Sequence, residues 1–267
     1  MLTAYRWELR KLVSQRRIYL GIGGAAAAPI LLTIVLAVQK GGPYDEPLGP
    51  NMHTSGIALA LVVLGLAARF GAQLATALVA GDIVASEDAD GTLKMILTRS
   101  LKRSQILTAK TLATFTYLLV LLLVLLAASL SAGLARRGFN PLVDLSQGRI
   151  SPVRALELSI AAFAIFALPL AGIAAFGILL SVLTRNSAAA IVGTLLYQLL
   201  MEGASSVVHV PVLGHYLLAS QFDAWHGLFQ TPIDWTPVIR ASWDSALFTI
   251  VPLLAAFAIF LRRDVTG

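Results

Sequence analysis

The chain has 267 residues, 57% of them hydrophobic and 13% charged, and its mean hydropathy is +0.80. A soluble domain carries about 25% charged residues, so these proportions exclude an ordinary soluble protein and read as an integral membrane protein. The net charge of +6 is dispersed between apolar runs, which fits anchoring of membrane spans and argues against nucleic-acid binding; zero cysteines exclude disulfides, thiolate metal sites and a cysteine nucleophile.

Residues 1–17 read as a basic amphipathic helix on the cytoplasmic membrane surface. Leu2, Tyr5, Leu9, Leu12 and Val13 form its apolar face, Arg6, Arg10, Lys11, Arg16 and Arg17 supply charge, and Trp7 suits the interface. A signal peptide is the alternative, but the apolar run that follows exceeds the ~7–15 residues of such a core. The first span is 18–39, with small residues at 21–28 that allow close packing and a kink at Pro29. Residues 41–54, with three prolines and three glycines, form an external loop. The second span is 55–85. At ~1.5 Å per residue it exceeds a ~30 Å core, so it tilts or protrudes. Arg69, Gln73 and Thr76 share one of its faces, and Asp82 closes its inner end.

Residues 86–105 are the longest polar interval that keeps a helical pattern. Glu87, Asp88 and Asp90 open it, Gly91 turns it, and Leu93, Ile96, Leu97 and Leu101 recur as an apolar stripe. Such a stripe needs a cover, which is either the lipid interface or a soluble partner. The third span is 106–134, with a Leu/Val-rich centre expected to face lipid. Residues 136–154 form an outer loop with arginines at 136, 137, 149 and 154. That departs from the positive-inside tendency, although the N-terminus, the 86–105 segment, Arg185 and Arg262-Arg263 all fall inside. These outer arginines are either solvated or face an anionic group. The fourth span is 153–183, with Pro169 in its middle. A tight inner turn leads to the fifth, 188–208. Residues 209–241 form an outer loop whose aromatics suit an interfacial belt, and the sixth span is 242–261. The sum is an all-α membrane protein of six transmembrane helices in one domain.

The pattern Glu87-x-x-x-Gly91-Thr92-Leu93, followed by Leu97, Arg103 and Lys110, resembles the signature of ABC-2 type transporter permeases, as does the ending Phe260-Leu261-Arg262-Arg263-Asp264. The chain has Ser100 where that family often has Pro. The resemblance implies a non-catalytic transmembrane subunit of an ATP-driven exporter in a bacterial or archaeal plasma membrane, with both termini cytoplasmic. It implies that residues 86–105 hold a coupling helix and that short re-entrant or interfacial helices lie between spans five and six. ATP and Mg would be bound by a separate cytoplasmic ABC ATPase, and no cofactor by this chain. A second copy or a sister permease would complete a dimer. Glu87, Gly91, Thr92, Leu93, Ile96, Leu97, Arg103 and Lys110 become the ATPase-coupling residues, with Glu87 an ion-pair partner of Arg103 or Lys110. An amphipathic or lipid-like substrate is expected.

No Gly-Lys dipeptide occurs, so a P-loop is excluded. Ionisable side chains at mid-membrane cost ~2.5–3.5 kcal/mol on insertion scales and usually face a cavity or a partner. Arg69 is therefore expected to pair with Glu202, or to line a translocation path with Gln73, Gln198 and Glu202. A structural pair and a substrate site both remain open. His209, His215, Asp223 and His226 lack the spacing of a metal-ligand helix, so no metal site is assigned. No span interior holds the His of an intramembrane protease. A membrane scaffold or assembly factor without transport activity is the alternative function.

Overall fold

The computed structural model describes residues 1–38, 48–67, 71–89, 91, 102–207 and 216–262. Helix α1 spans Leu2–Val13 and α2 spans Arg16–Val38. After a 3-10 turn at Gly49–His53 come α3 (Ile57–Leu66), α4 (Ala72–Ala80) and the short α5 (Ala85–Ala89). Helix α6 runs Arg103–Arg137, α7 Pro152–Thr184, α8 Ser187–Val207 and α9 Thr236–Arg262. Five of these helices, α2, α6, α7, α8 and α9, are long and apolar enough to cross a membrane. The chain is thus an all-α protein of the multi-pass membrane kind, apart from one two-stranded hairpin among the described residues.

Helix α7 is the centre of the bundle. It packs on α9, α8, α4 and α6, and 56% of its most apolar window is buried inside the protein, against 11% for α2 and for α8. The small residues of α7 allow this: Gly177 lies against Ala80 of α4, and a Cβ there would crowd it. A second backbone-to-backbone approach joins α3 to α6. A Cβ on Gly133 would overlap the Gly56 carbonyl, and Gly56 N–H donates to the Gly138 carbonyl at 3.2 Å.

Several expectations need correction. Within the stretch expected as one helix over 55–85, α3 and α4 are the described parts on either side of 68–70, which lie outside the described residues, and α4 gives way to a turn at 81–84. The Leu/Val-rich centre of α6 faces lipid on one side only: Leu119 and Leu123 are exposed, whereas Leu118, Leu121, Leu122 and Leu125 are buried. Helix α6 also runs into the expected outer loop. Its Arg136 is not solvated there. It donates to the Leu36 carbonyl at 2.8 Å and to the Thr33 carbonyl, both in the last two turns of α2.

The rest of that loop folds as the hairpin β1 (Leu142–Val143) and β2 (Arg149–Ile150), with Leu142 opposite Ile150. Buried Asp144 closes it by accepting from the Ser146 N–H at 2.9 Å, from Gly148 N–H and from the Thr231 hydroxyl. The 209–241 region holds a 3-10 segment, Leu218–Phe229. Phe222, Trp225 and Phe229 are buried against α7 and α9 instead of forming an interfacial belt, while Tyr216 and Trp235 are exposed.

Inserting a side chain at the α3–α6 crossing should be costly. Gly133→Val is expected to destabilise by about 1–3 kcal/mol, the range for overpacking, seen as a lower melting temperature by tryptophan fluorescence in detergent. An unchanged melting temperature would show that the two backbones do not touch.

Candidate functional site

The N-terminal helix turns inward part of the apolar face, Tyr5, Leu9 and Leu12, but rotated so that Glu8 is buried in place of Leu2 and Val13. Leu2 and Val13 are exposed at 62% and 57%, and Glu8 is buried at 3% together with Leu12. Tyr5, Glu8, Leu9 and Leu12 recur at helical spacing and face α6, where the Tyr5 hydroxyl meets the Thr116 hydroxyl at 2.7 Å. The reason lies on α6. Lys110 is fully buried, and a buried ammonium requires carboxylates more than a helix requires burial of two further aliphatic groups.

Lys110 Nζ lies 2.7 Å from Glu87 Oε2 and 3.1 Å from Glu8 Oε1, and donates to the Ile83 carbonyl at 3.0 Å. Lys11 of α1 reaches the other oxygen of Glu87 while its ammonium sits 5.9 Å from the centre of the Trp7 ring. Two carboxylates and two ammoniums thus form a formally neutral quartet drawn from α1, α5 and α6. Burial raises the pKa of Glu8, and Glu87's charge adds to this, while Lys110 opposes it.

A second charged contact lies beside the first. Asp82, in the 81–84 turn, pairs with Arg17 in the first turn of α2 and accepts from the Ser187 hydroxyl at the start of α8. Ser181 of α7 closes the same turn, its hydroxyl accepting from Val84 N–H at 3.1 Å and Ala85 N–H at 2.9 Å. These amides, one just before α5 and one at its first residue, have no intrahelical acceptor. Residues 81–89 are therefore fastened to α1, α2, α6, α7 and α8. Gly91, at φ +68°, follows directly in the left-handed conformation that glycine adopts at helix ends.

Of the residues singled out in the sequence, Glu87 and Lys110 come together and Gly91 takes the turn. Arg103 instead donates to the Leu261 carbonyl at 3.3 Å, near the end of α9. Thr92, Leu93, Ile96 and Leu97 lie outside the described residues, as does Arg69, so the expected Arg69–Glu202 pair does too. Gln73 is buried on α4, and Thr76 is satisfied within its own helix by the Ala72 carbonyl at 2.7 Å. Gln198 and Glu202 share one face of α8, the amide oxygen of Gln198 buried without a hydrogen-bond partner among the described residues. His226 packs on Trp225 with ring centres 4.0 Å apart, and burial depresses its pKa against the opposing charge of Asp223.

Glu8, Lys11, Arg17, Ser181 and Ser187 were not foreseen. One signal was present: Glu8 is the only acidic residue of α1 and stands on the same row as Leu12.

Breaking a buried ion pair by removing one partner costs about 3–5 kcal/mol. Lys110→Met is expected to lose stability on that scale, and Glu8→Gln in the same chain to restore part of it; equal stability of Lys110→Met and the unmodified chain would refute the quartet. The raised pKa of Glu8 also sets a pH dependence. Between the ordinary value of 4.5 and the higher folded value, the folded chain holds more protons than the unfolded one. Glu8's contribution is therefore fully present below pH 4.5 and is lost as pH rises through the folded value. The melting-temperature difference between the unmodified chain and Glu8→Gln should fall across that window, and a constant difference would contradict it.

Residues 49–266 match a family model described as "Protein of unknown function (DUF2705)". A Bacillus subtilis (strain 168) protein, "Uncharacterized protein YhcI", is 28% identical over 215 residues, an alignment covering 73% of this chain and 64% of the other. The chain thus spans just under two-thirds of that relative's length. The family match includes Asp82, Glu87 and Lys110, while α1 with Glu8 and Lys11 precedes it.

Proposed function

The chain belongs to the DUF2705 family, and we propose that it is the membrane permease subunit of an ATP-driven exporter whose ATPase is a separate protein. The observation that carries this reading is the charged quartet. It binds the stretch leading into the polar 92–101 segment to the N-terminal helix and to the longest helix of the bundle. A force applied at 92–101 would reach α6 through Glu87 and Lys110, and α2, α7 and α8 through Asp82 and Ser181. A buried neutral quartet suits that role. It resists separation, because exposing one partner leaves another buried and unpaired, yet it holds by contacts that can shift together.

On this reading α3 and α4 together make one membrane crossing and α2, α6, α7, α8 and α9 the other five. An even number of crossings puts both termini on one side, which the basic α1 identifies as the cytoplasm. The apolar stripe Leu93, Ile96 and Leu97 is the ATPase contact, and the exporter works as a pair of permease subunits. Its cargo is amphipathic or lipid-like.

The test is to co-express the chain with an ABC-type ATPase encoded beside it, purify through a tag on this chain alone, and measure vanadate-sensitive ATP hydrolysis. Co-purified activity that disappears in Ile96→Asp/Leu97→Asp, with the chain still inserted in the membrane, is the expected result. Undiminished ATPase retention in that variant would overturn the coupling assignment, and no co-purified ATPase from the unmodified chain would overturn the permease reading.

A further inference from the structure

Helices α2, α3, α4 and α6 line an open groove of about 450 Å³. Leu20, Gly24, Ala28 and Leu32 of α2 line it along one i,i+4 row, facing Leu74 of α4 and Leu125 of α6 among other Leu, Val, Ala and Gly residues; among the described residues no lining side chain is polar. A Cβ added at Gly24 would meet nothing within 4 Å, so the space is real at that point of the wall. From Leu20 to Leu32 the row extends about 18 Å at 1.5 Å per residue. That is close to the depth of one leaflet of a ~30 Å hydrocarbon core. Leu20, Gly24 and Ala28 are themselves exposed, which puts the groove at the lipid boundary of the bundle.

The same row continues one turn toward the N-terminus to Arg16, at the start of α2. Of the nearby cations, Lys11 is held by Glu87 and Arg17 by Asp82. Arg16 is exposed and has no carboxylate partner among the described residues. A slot of leaflet depth whose described lining is apolar, with the exposed guanidinium of Arg16 at its end, is complementary to an amphiphile with an apolar tail and an anionic head. We propose that this groove is a binding site for an anionic phospholipid of the surrounding leaflet. One acyl chain lies along Leu20–Leu32 and the phosphate sits at Arg16. The site stands apart from the exporter reading, since a retained lipid requires no transport.

Native mass spectrometry tests this on the full chain, delipidated in detergent and then incubated with equal amounts of dioleoylphosphatidylglycerol and dioleoylphosphatidylcholine. One retained phosphatidylglycerol per chain is expected, favoured about fivefold over phosphatidylcholine, since one cation near an anionic lipid surface contributes about 1 kcal/mol. Gly24→Leu and Ala28→Leu, which fill the slot, should lose both lipids. Arg16→Gln should abolish the preference, and Arg154→Gln, at an exposed arginine paired with Glu157, should leave it unchanged. Equal retention of the two lipids by the unmodified chain would overturn the proposal. So would an undiminished preference in Arg16→Gln, or undiminished phosphatidylglycerol in both slot-filling variants.

Discussion

The charge on Lys110 is the constraint around which the cytoplasmic-side architecture proposed here is arranged. A fully buried ammonium cannot be left without acceptors, because the desolvation of an isolated charge far exceeds what packing returns. Two carboxylates from distant parts of the sequence therefore converge on it, Glu8 from α1 and Glu87 from α5, with the Ile83 carbonyl as a third acceptor. Lys11 then neutralises the second oxygen of Glu87. The inward face of α1, the position of residues 81–89 and the start of α6 all follow from satisfying that one group.

Close helix approach does the complementary work in the apolar part of the bundle. Gly177 and Ala80 bring α7 to α4, Gly56 and Gly133 bring α3 to α6, and Arg136 ties α6 to the end of α2 through backbone carbonyls. Non-directional apolar packing alone would allow these helices to slide. Hydrogen bonds to backbone groups, as at Arg136 and Ser181, fix the register at both ends of the bundle. Against this frame, α2 packs along α6, while Gly24 and Ala28 on its other side leave the slot between Leu20 and Leu32 open.

The long helices were legible because a membrane-crossing helix writes its length directly into the sequence as an apolar run. Helices α2, α6, α7, α8 and α9 all lie close to where those runs place them. Glu87 and Lys110 were legible as an ion pair through a family-like spacing. The inward face of α1 was legible only in part: periodicity marks Tyr5, Leu9 and Leu12, but it also takes in the exposed Leu2 and Val13 and is blind to a lysine 102 residues after Glu8. The 222–229 aromatics were misplaced for a related reason. Phe222, Trp225 and Phe229 recur at helical spacing, as core residues do, but an aromatic-rich loop between spans also matches an interfacial belt. The hairpin at 142–150 was invisible because strands of two residues carry no alternation to read.

The most direct measurement of the central claim is the distance between α1 and α6 in the folded chain. Because the sequence has no cysteine, spin labels can be placed uniquely on cysteines substituted at the exposed positions Val13 and Leu112. Pulsed electron paramagnetic resonance on the chain in nanodiscs should return one narrow distance, and the Lys110→Met background should broaden it. A broad distribution in the otherwise unmodified chain, or a narrow one that is indifferent to Lys110→Met, would contradict the claim that the buried quartet holds the N-terminal helix in place.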